Sequence, residues 1–194
     1  MKRNFFVGTL IFVIIIGAFY INKDDEQASS SLATNESITS NVQSTTPKSK
    51  IAPLKEGEQA IDFELQTLTG DTLRLYHNDG KPTLINFWAS WCPPCKKEMP
   101  DLQETYEKYG DEVNFFMVNL SFNDDLDNMN AYIEENRFTF PILLDKTGNV
   151  LKDYEVIAIP TTYIVNKDNI ITHKITGPMS KDTIQSIINE ITSK

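Results

Sequence analysis

Two cysteines stand three residues apart in the stretch WASWCPPCKKEMP, from Trp88 to Pro100, and they are the only two in the 194-residue chain. Thiols at that spacing serve as a redox couple, as half of a metal site or as a structural staple. A structural zinc wants four protein ligands. Besides Cys92 and Cys95 the chain offers only His77, in the polar turn YHNDG, and His173, in an alternating run, and a solvated or peripheral place suits both. Copper-delivery sites of the C-x-x-x-C plus His type space their cysteines more widely. A peroxidase wants Thr three residues before its nucleophile, where Ala89 stands. A staple is a poor use of the spacing, because closing so small a loop removes little entropy from the unfolded chain.

Thiol chemistry suits the spacing better. With Cys92 at the start of a helix, its sulfur faces unpaired backbone N–H groups and the positive end of the helix dipole, which favour thiolate over thiol. Cys95 then lies one turn further in, less exposed and within reach of a disulfide to Cys92. Pro93 and Pro94 cost the first turn little, since the N–H groups they lack have no intrahelical partner there. Glu98 follows Cys95 by three residues and shares its helix face.

The surrounding pattern supplies that helix and the elements that hold it. TLINFWA, just before the cysteines, is a nearly continuous apolar run of strand length, as expected of a strand covered on both faces. From Cys92 to Gly110 the residues Leu102, Tyr106 and Tyr109 recur at helical spacing, with Gly110 as the stop. Upstream, AIDFEL and TLRLYH flank the turn TLTGD as a hairpin. Downstream come the buried strand VNFFMVNL, a helix over DDLDNMNAYIEENR with Arg137 near its end, and the strand PILLD. Then follow a short helix NVLKDYEV, a hairpin of TTYIVN and IITHKIT, and a closing amphipathic helix with Ile184, Ile187, Ile188 and Ile191 on one face. Strands alternating with helices predict an α/β sandwich around a mixed sheet, occupying residues 51–194.

Residues 1–50 read differently. After Lys2 and Arg3, the span from Asn4 to Asn22 carries no charge and is closed by Lys23. As a helix it is about 28 Å long, near the thickness of a bilayer core. Residues 1–23 are therefore expected to form a membrane anchor. A cleaved signal peptide is the rival reading, but the span is followed by no clear small-x-small cleavage pattern. The basic flank places the N-terminus in the cytoplasm and everything after Lys23 across the membrane. Residues 24–50 are rich in Ser and Thr and poor in large apolar side chains, so they read as a flexible tether with a span of about 30 Å. The formal charge of −9 excludes nucleic acid as a natural partner, because a phosphate-tracking surface needs an excess of Lys and Arg. Asn35-Glu36-Ser37 and Asn119-Leu120-Ser121 match the glycosylation sequon, a pattern short enough to arise by chance.

FWASWCPPC, Pro100 five residues after Cys95, and AIPTTYIV around Pro160 resemble the thioredoxin superfamily from about Ile61 onward. The anchor, LINFWASWCPPCKKEMP and the extra strand–helix stretch before PILLD resemble more specifically the TlpA/ResA-like extracytoplasmic thiol-disulfide oxidoreductases. That resemblance implies a thioredoxin-like three-layer sandwich and no cofactor beyond the redox-active Cys92–Cys95 disulfide. It implies Cys92 as the attacking thiol and Cys95 as the resolving one. Trp91, Pro93, Pro94, Ile159 and a cis Pro160 would border the substrate, whose extended backbone pairs beside Pro160. Thioredoxins carry a buried Asp before the Phe-Trp of the strand as proton acceptor, whereas this chain has Asn86, which cannot take up a proton. Glu98 then becomes the expected acceptor, as in TlpA/ResA-like proteins. The implied partners are exported proteins with disulfides, apocytochrome c among them, and a membrane dithiol donor of the CcdA type. A disulfide-introducing oxidase, and a redox-inert or metallochaperone module of the same fold, remain as alternatives.

Overall fold

The computed structural model describes residues 54–193, so the anchor and tether expected at 1–23 and 24–50 lie outside the described residues. Among the described residues no helix is long and apolar enough to cross a membrane.

The apolar run before the cysteines is β3 (Thr83–Trp88), and all six of its residues are buried. It pairs in parallel with β4 (Asn114–Asn119) and antiparallel with β6 (Thr161–Val165). β5 (Ile142–Leu144) and β7 (Ile171–Thr176) complete a mixed five-stranded sheet in the order β5-β4-β3-β6-β7. Because β3 is central and alternates its side chains, it feeds two cores. Leu84 and Trp88 pack with Cys95, Met99 and Leu102 of α1 (Pro93–Tyr109), Met129 and Ile133 of α2 (Leu126–Asn136), and Ile184, Ile187 and Ile188 of α4 (Lys181–Thr192). Ile85 and Phe87 face the other way, onto Phe63, Leu75, Tyr154 and Val150 of α3 (Asn149–Asp153). The expected three-layer arrangement is therefore present.

Three local expectations are revised. The upstream hairpin shrinks to three-residue strands, β1 (Glu64–Gln66) and β2 (Thr72–Arg74), which form a separate two-stranded sheet. Beyond this ladder the Leu75 N–H still donates to the Phe63 carbonyl at 3.0 Å, and Asp62 accepts from Arg74 Nε at 2.6 Å and from the Tyr76 N–H at 3.1 Å. The short helix α3 stops at Asp153, two residues before Glu155 turns to a positive φ of 47°. Arg137 does not extend the last turn of α2; it is the C-cap, left-handed at φ 55°.

Candidate active site

The carboxyl ends of β3 and β4 and the start of β6 lie at one end of the sheet, and three loops meet there. The first carries the cysteines. Cys92 is the N-cap of α1, with extended backbone, and its sulfur accepts the Cys95 N–H at 3.2 Å. Pro93 and Pro94 occupy the first two helical positions, as expected of residues without a donor. Cys92 and Cys95 form a disulfide with their Cα atoms 5.3 Å apart. Cys95 is fully enclosed, and Cys92 is only 3% exposed, less open than the sequence suggested.

The second loop precedes β6. Its Ile159–Pro160 bond is cis, and the Ile159 carbonyl oxygen lies 3.8 Å from the Cys92 sulfur. Thr161 Oγ1 donates to the Ala158 carbonyl at 2.7 Å and closes this turn. Pro160 is buried and Ile159 partly so, while Pro93 and Pro94 are exposed.

The third loop, between β4 and α2, was not anticipated. Asp124 accepts from the Ser90 N–H at 2.6 Å, from Ser90 Oγ at 2.5 Å and from Asn119 Nδ2 at 2.7 Å. Next to it, the Asn123 carbonyl accepts from Trp91 Nε1 at 2.8 Å, which holds an indole that is 53% exposed. In the sequence Asp124 reads as one of two acids opening a helix. The structure divides them: Asp125 caps α2, accepting from the Asn128 N–H at 2.8 Å, and Asp124 turns toward the cysteine loop. Large exposed apolar side chains occur in all three loops, namely Trp91, Phe122 and Ile157.

Glu98 does share its helix with Cys95, but it is not a solvated surface acid. It is 1% exposed. Its Oε1 accepts from Asn86 Nδ2 at 2.8 Å and its Oε2 from the Met179 N–H at 2.7 Å. Burial raises its pKa to about 6, and the two hydrogen bonds hold back part of that rise. Asn86 donates a second hydrogen bond, at 2.9 Å, to Thr162 Oγ1, its register partner on β6. The two histidines do not join this site: His77 follows β2, and His173 lies on β7 with Nε2 3.5 Å from Glu190.

A sulfur at a helix N-terminus set just under the surface, a fully enclosed partner sulfur and a buried carboxyl one turn away can exchange electrons with another disulfide and manage the proton. The profile of the AhpC/TSA family matches residues 57–174. Sporulation thiol-disulfide oxidoreductase A of Bacillus subtilis is 35% identical over 143 residues, spanning 72% of this chain and 86% of that protein. The thiol-disulfide oxidoreductase ResA of Bacillus cereus is 31% identical over 144 residues, 74% of this chain and 83% of that protein. The crystal structure of StoA from Bacillus subtilis superposes with a TM-score of 0.59 at 35% identity, covering 65% of this chain and 95% of the other. The chain thus belongs to the AhpC/TSA family of thioredoxin-like proteins and is a thiol-disulfide oxidoreductase of the ResA and StoA type.

Proposed function

We propose that the protein is an extracytoplasmic, membrane-tethered reductase of disulfides in exported proteins, with the cysteines of apocytochrome c as the favoured substrate. The Cys92 thiolate attacks a substrate disulfide, forms a mixed disulfide and releases the first substrate sulfur as thiolate. Cys95 gives its proton to Glu98, its sulfur bonds to Cys92, and the second substrate sulfur leaves. Two electrons pass to the substrate, and a membrane dithiol donor of the CcdA type returns them to Cys92–Cys95.

The observation that carries the reductive direction is the buried Glu98 carboxyl on the cysteine helix, with a pKa of about 6. Charged at neutral pH, it disfavours thiolate nearby, which makes the dithiol a better electron donor. The opposite direction has one feature in its favour, the Cys95 N–H aimed at the Cys92 sulfur, which favours thiolate there. Glu98→Gln decides between them. In the reductase the substitution lowers the thiol pKa values and slows exchange at neutral pH severalfold, because an acceptor is lost. Unchanged thiol titration and unchanged rate would remove Glu98 from the mechanism.

A further inference from the structure

Two side-chain polar atoms on β3 are buried without a hydrogen-bond partner, Asn86 Oδ1 and Trp88 Nε1. Asn86 is the informative one. Its amide nitrogen is fully used, donating to Glu98 Oε1 at 2.8 Å and to Thr162 Oγ1 at 2.9 Å, while its oxygen is idle. The whole arrangement suits a charged Glu98: Asn86 and the Met179 N–H both donate, and nothing there accepts. A protonated Glu98 has an O–H that needs an acceptor. Neither the Met179 N–H nor the Asn86 nitrogen can provide one.

Turning the Asn86 amide through a half-circle does provide one. Its oxygen then takes the place of its nitrogen and accepts from the protonated carboxyl, and it accepts also from the Thr162 hydroxyl, which donates as readily as it accepts. The idle position passes from oxygen to nitrogen, so the number of unpartnered groups stays the same. Asp at this position has no donor to offer a charged Glu98 and would compete with it for one proton.

We propose that Asn86 is a positioning residue for proton transfer at this site: its amide turns over as Glu98 gains and releases the Cys95 proton. The inference rests on Glu98 being the proton acceptor of the proposed reductase. In the resolving step the S–H bond of Cys95 breaks, its proton goes to a Glu98 oxygen, and its electron pair forms the bond to Cys92. The Cys92–substrate bond breaks, and the substrate leaves as thiolate. Asn86 and Thr162 neither gain nor lose a proton overall. On α1, Cys95 stands three residues before Glu98 and becomes titratable once the disulfide is reduced; β3 presents the neutral Asn86, β6 the neutral Thr162, and the segment before α4 a backbone N–H. Lys96 and Lys97 on α1 are exposed, and Lys181 of α4 pairs with Glu104 at the surface.

The test is a pH titration of the reduced full-length protein by nuclear magnetic resonance, following the Glu98 side-chain carboxyl carbon and the Asn86 side-chain amide. The expected result is a change in the Asn86 amide signals with the same midpoint as Glu98, abolished in Glu98→Gln. Asn86→Val removes the amide at similar size, and it should raise the Glu98 midpoint by about one unit, a tenfold change in proton affinity. The pH–rate profile should move with it. Asn86 signals that stay flat while Glu98 titrates overturn the inference, and if Glu98→Gln still slows exchange, the proposed reductase stands without it. An exchange rate unaffected by Glu98→Gln overturns both the proton role of Glu98 and that of Asn86.

Discussion

The Cys92 sulfur faces the Ile159 carbonyl oxygen across 3.8 Å, which sets this cysteine against the backbone before cis-Pro160. Cys95 has no such outlet, being fully buried on the face of α1 that packs with Leu84 and Trp88 of β3. Only Cys92 is placed to meet a substrate sulfur. Cys95→Ser is therefore expected to accumulate mixed disulfides on Cys92, and Cys92→Ser to accumulate few or none. Mass spectrometry of trapped adducts checks this, and equal trapping by both variants contradicts the assignment.

Glu98 also leaves a mark on stability. Its folded pKa of about 6 lies above its ordinary value of 4.5, so the folded protein holds this proton more tightly than the unfolded chain does. The oxidised protein should then lose stability as pH rises from 4.5 through 6, by about 2 kcal/mol, with little further change from this group above that range. Glu98→Gln removes the titration. The unfolding free energy of the variant minus that of the wild type should rise by about 2 kcal/mol between pH 4 and pH 7 in urea titrations. A difference that does not vary with pH would falsify the burial argument.

Asp124 anchors the cysteine loop from outside. Asp124→Ala leaves the Ser90 N–H, the Ser90 hydroxyl and the Asn119 amide without their acceptor. A loss of about 2–3 kcal/mol is expected, since hydrogen bonds to a charged group exceed neutral ones. Because the Trp91 indole is held by the adjoining Asn123 carbonyl, kcat/KM should fall severalfold more for a folded protein substrate than for a small disulfide. Equal losses on both substrates would confine Asp124 to stability.

These residues show what a one-dimensional reading reaches. The buried run of β3, the prolines opening α1, the isoleucine face of α4 and the cysteine spacing are local patterns, and each appears where its periodicity places it. The cis bond before Pro160 came through family resemblance, because no local rule separates cis from trans at AIPTTY, and the roles expected of the two cysteines rest on the same resemblance. Glu98 was legible as a helix-face neighbour of Cys95, but its burial was not, since that depends on Met179 and Asn86, which approach from distant segments. Asp124 was missed for a related reason. Two adjacent acids before a helix look alike until the fold turns one toward Ser90. The upstream hairpin was over-extended because Phe63 and Leu75 continue its alternation while contributing to the core beyond its ladder.

The apolar span from Asn4 to Asn22, with its basic flank, predicts a topology. Residues after Lys23 should be accessible from outside the cytoplasmic membrane and should remain with the membrane on cell fractionation. A mature chain released into the medium, or one cut near Ala18, would contradict the tether.

The reduction potential of the Cys92–Cys95 couple is the most direct test of the reductive direction. Equilibration of the purified protein with glutathione or dithiothreitol buffers at pH 7 reads it. With a charged carboxylate buried on the cysteine helix, the potential should lie below about −200 mV, towards that of thioredoxin. A value well above about −150 mV, approaching the strong oxidants near −120 mV, would contradict the account and assign the protein to disulfide formation.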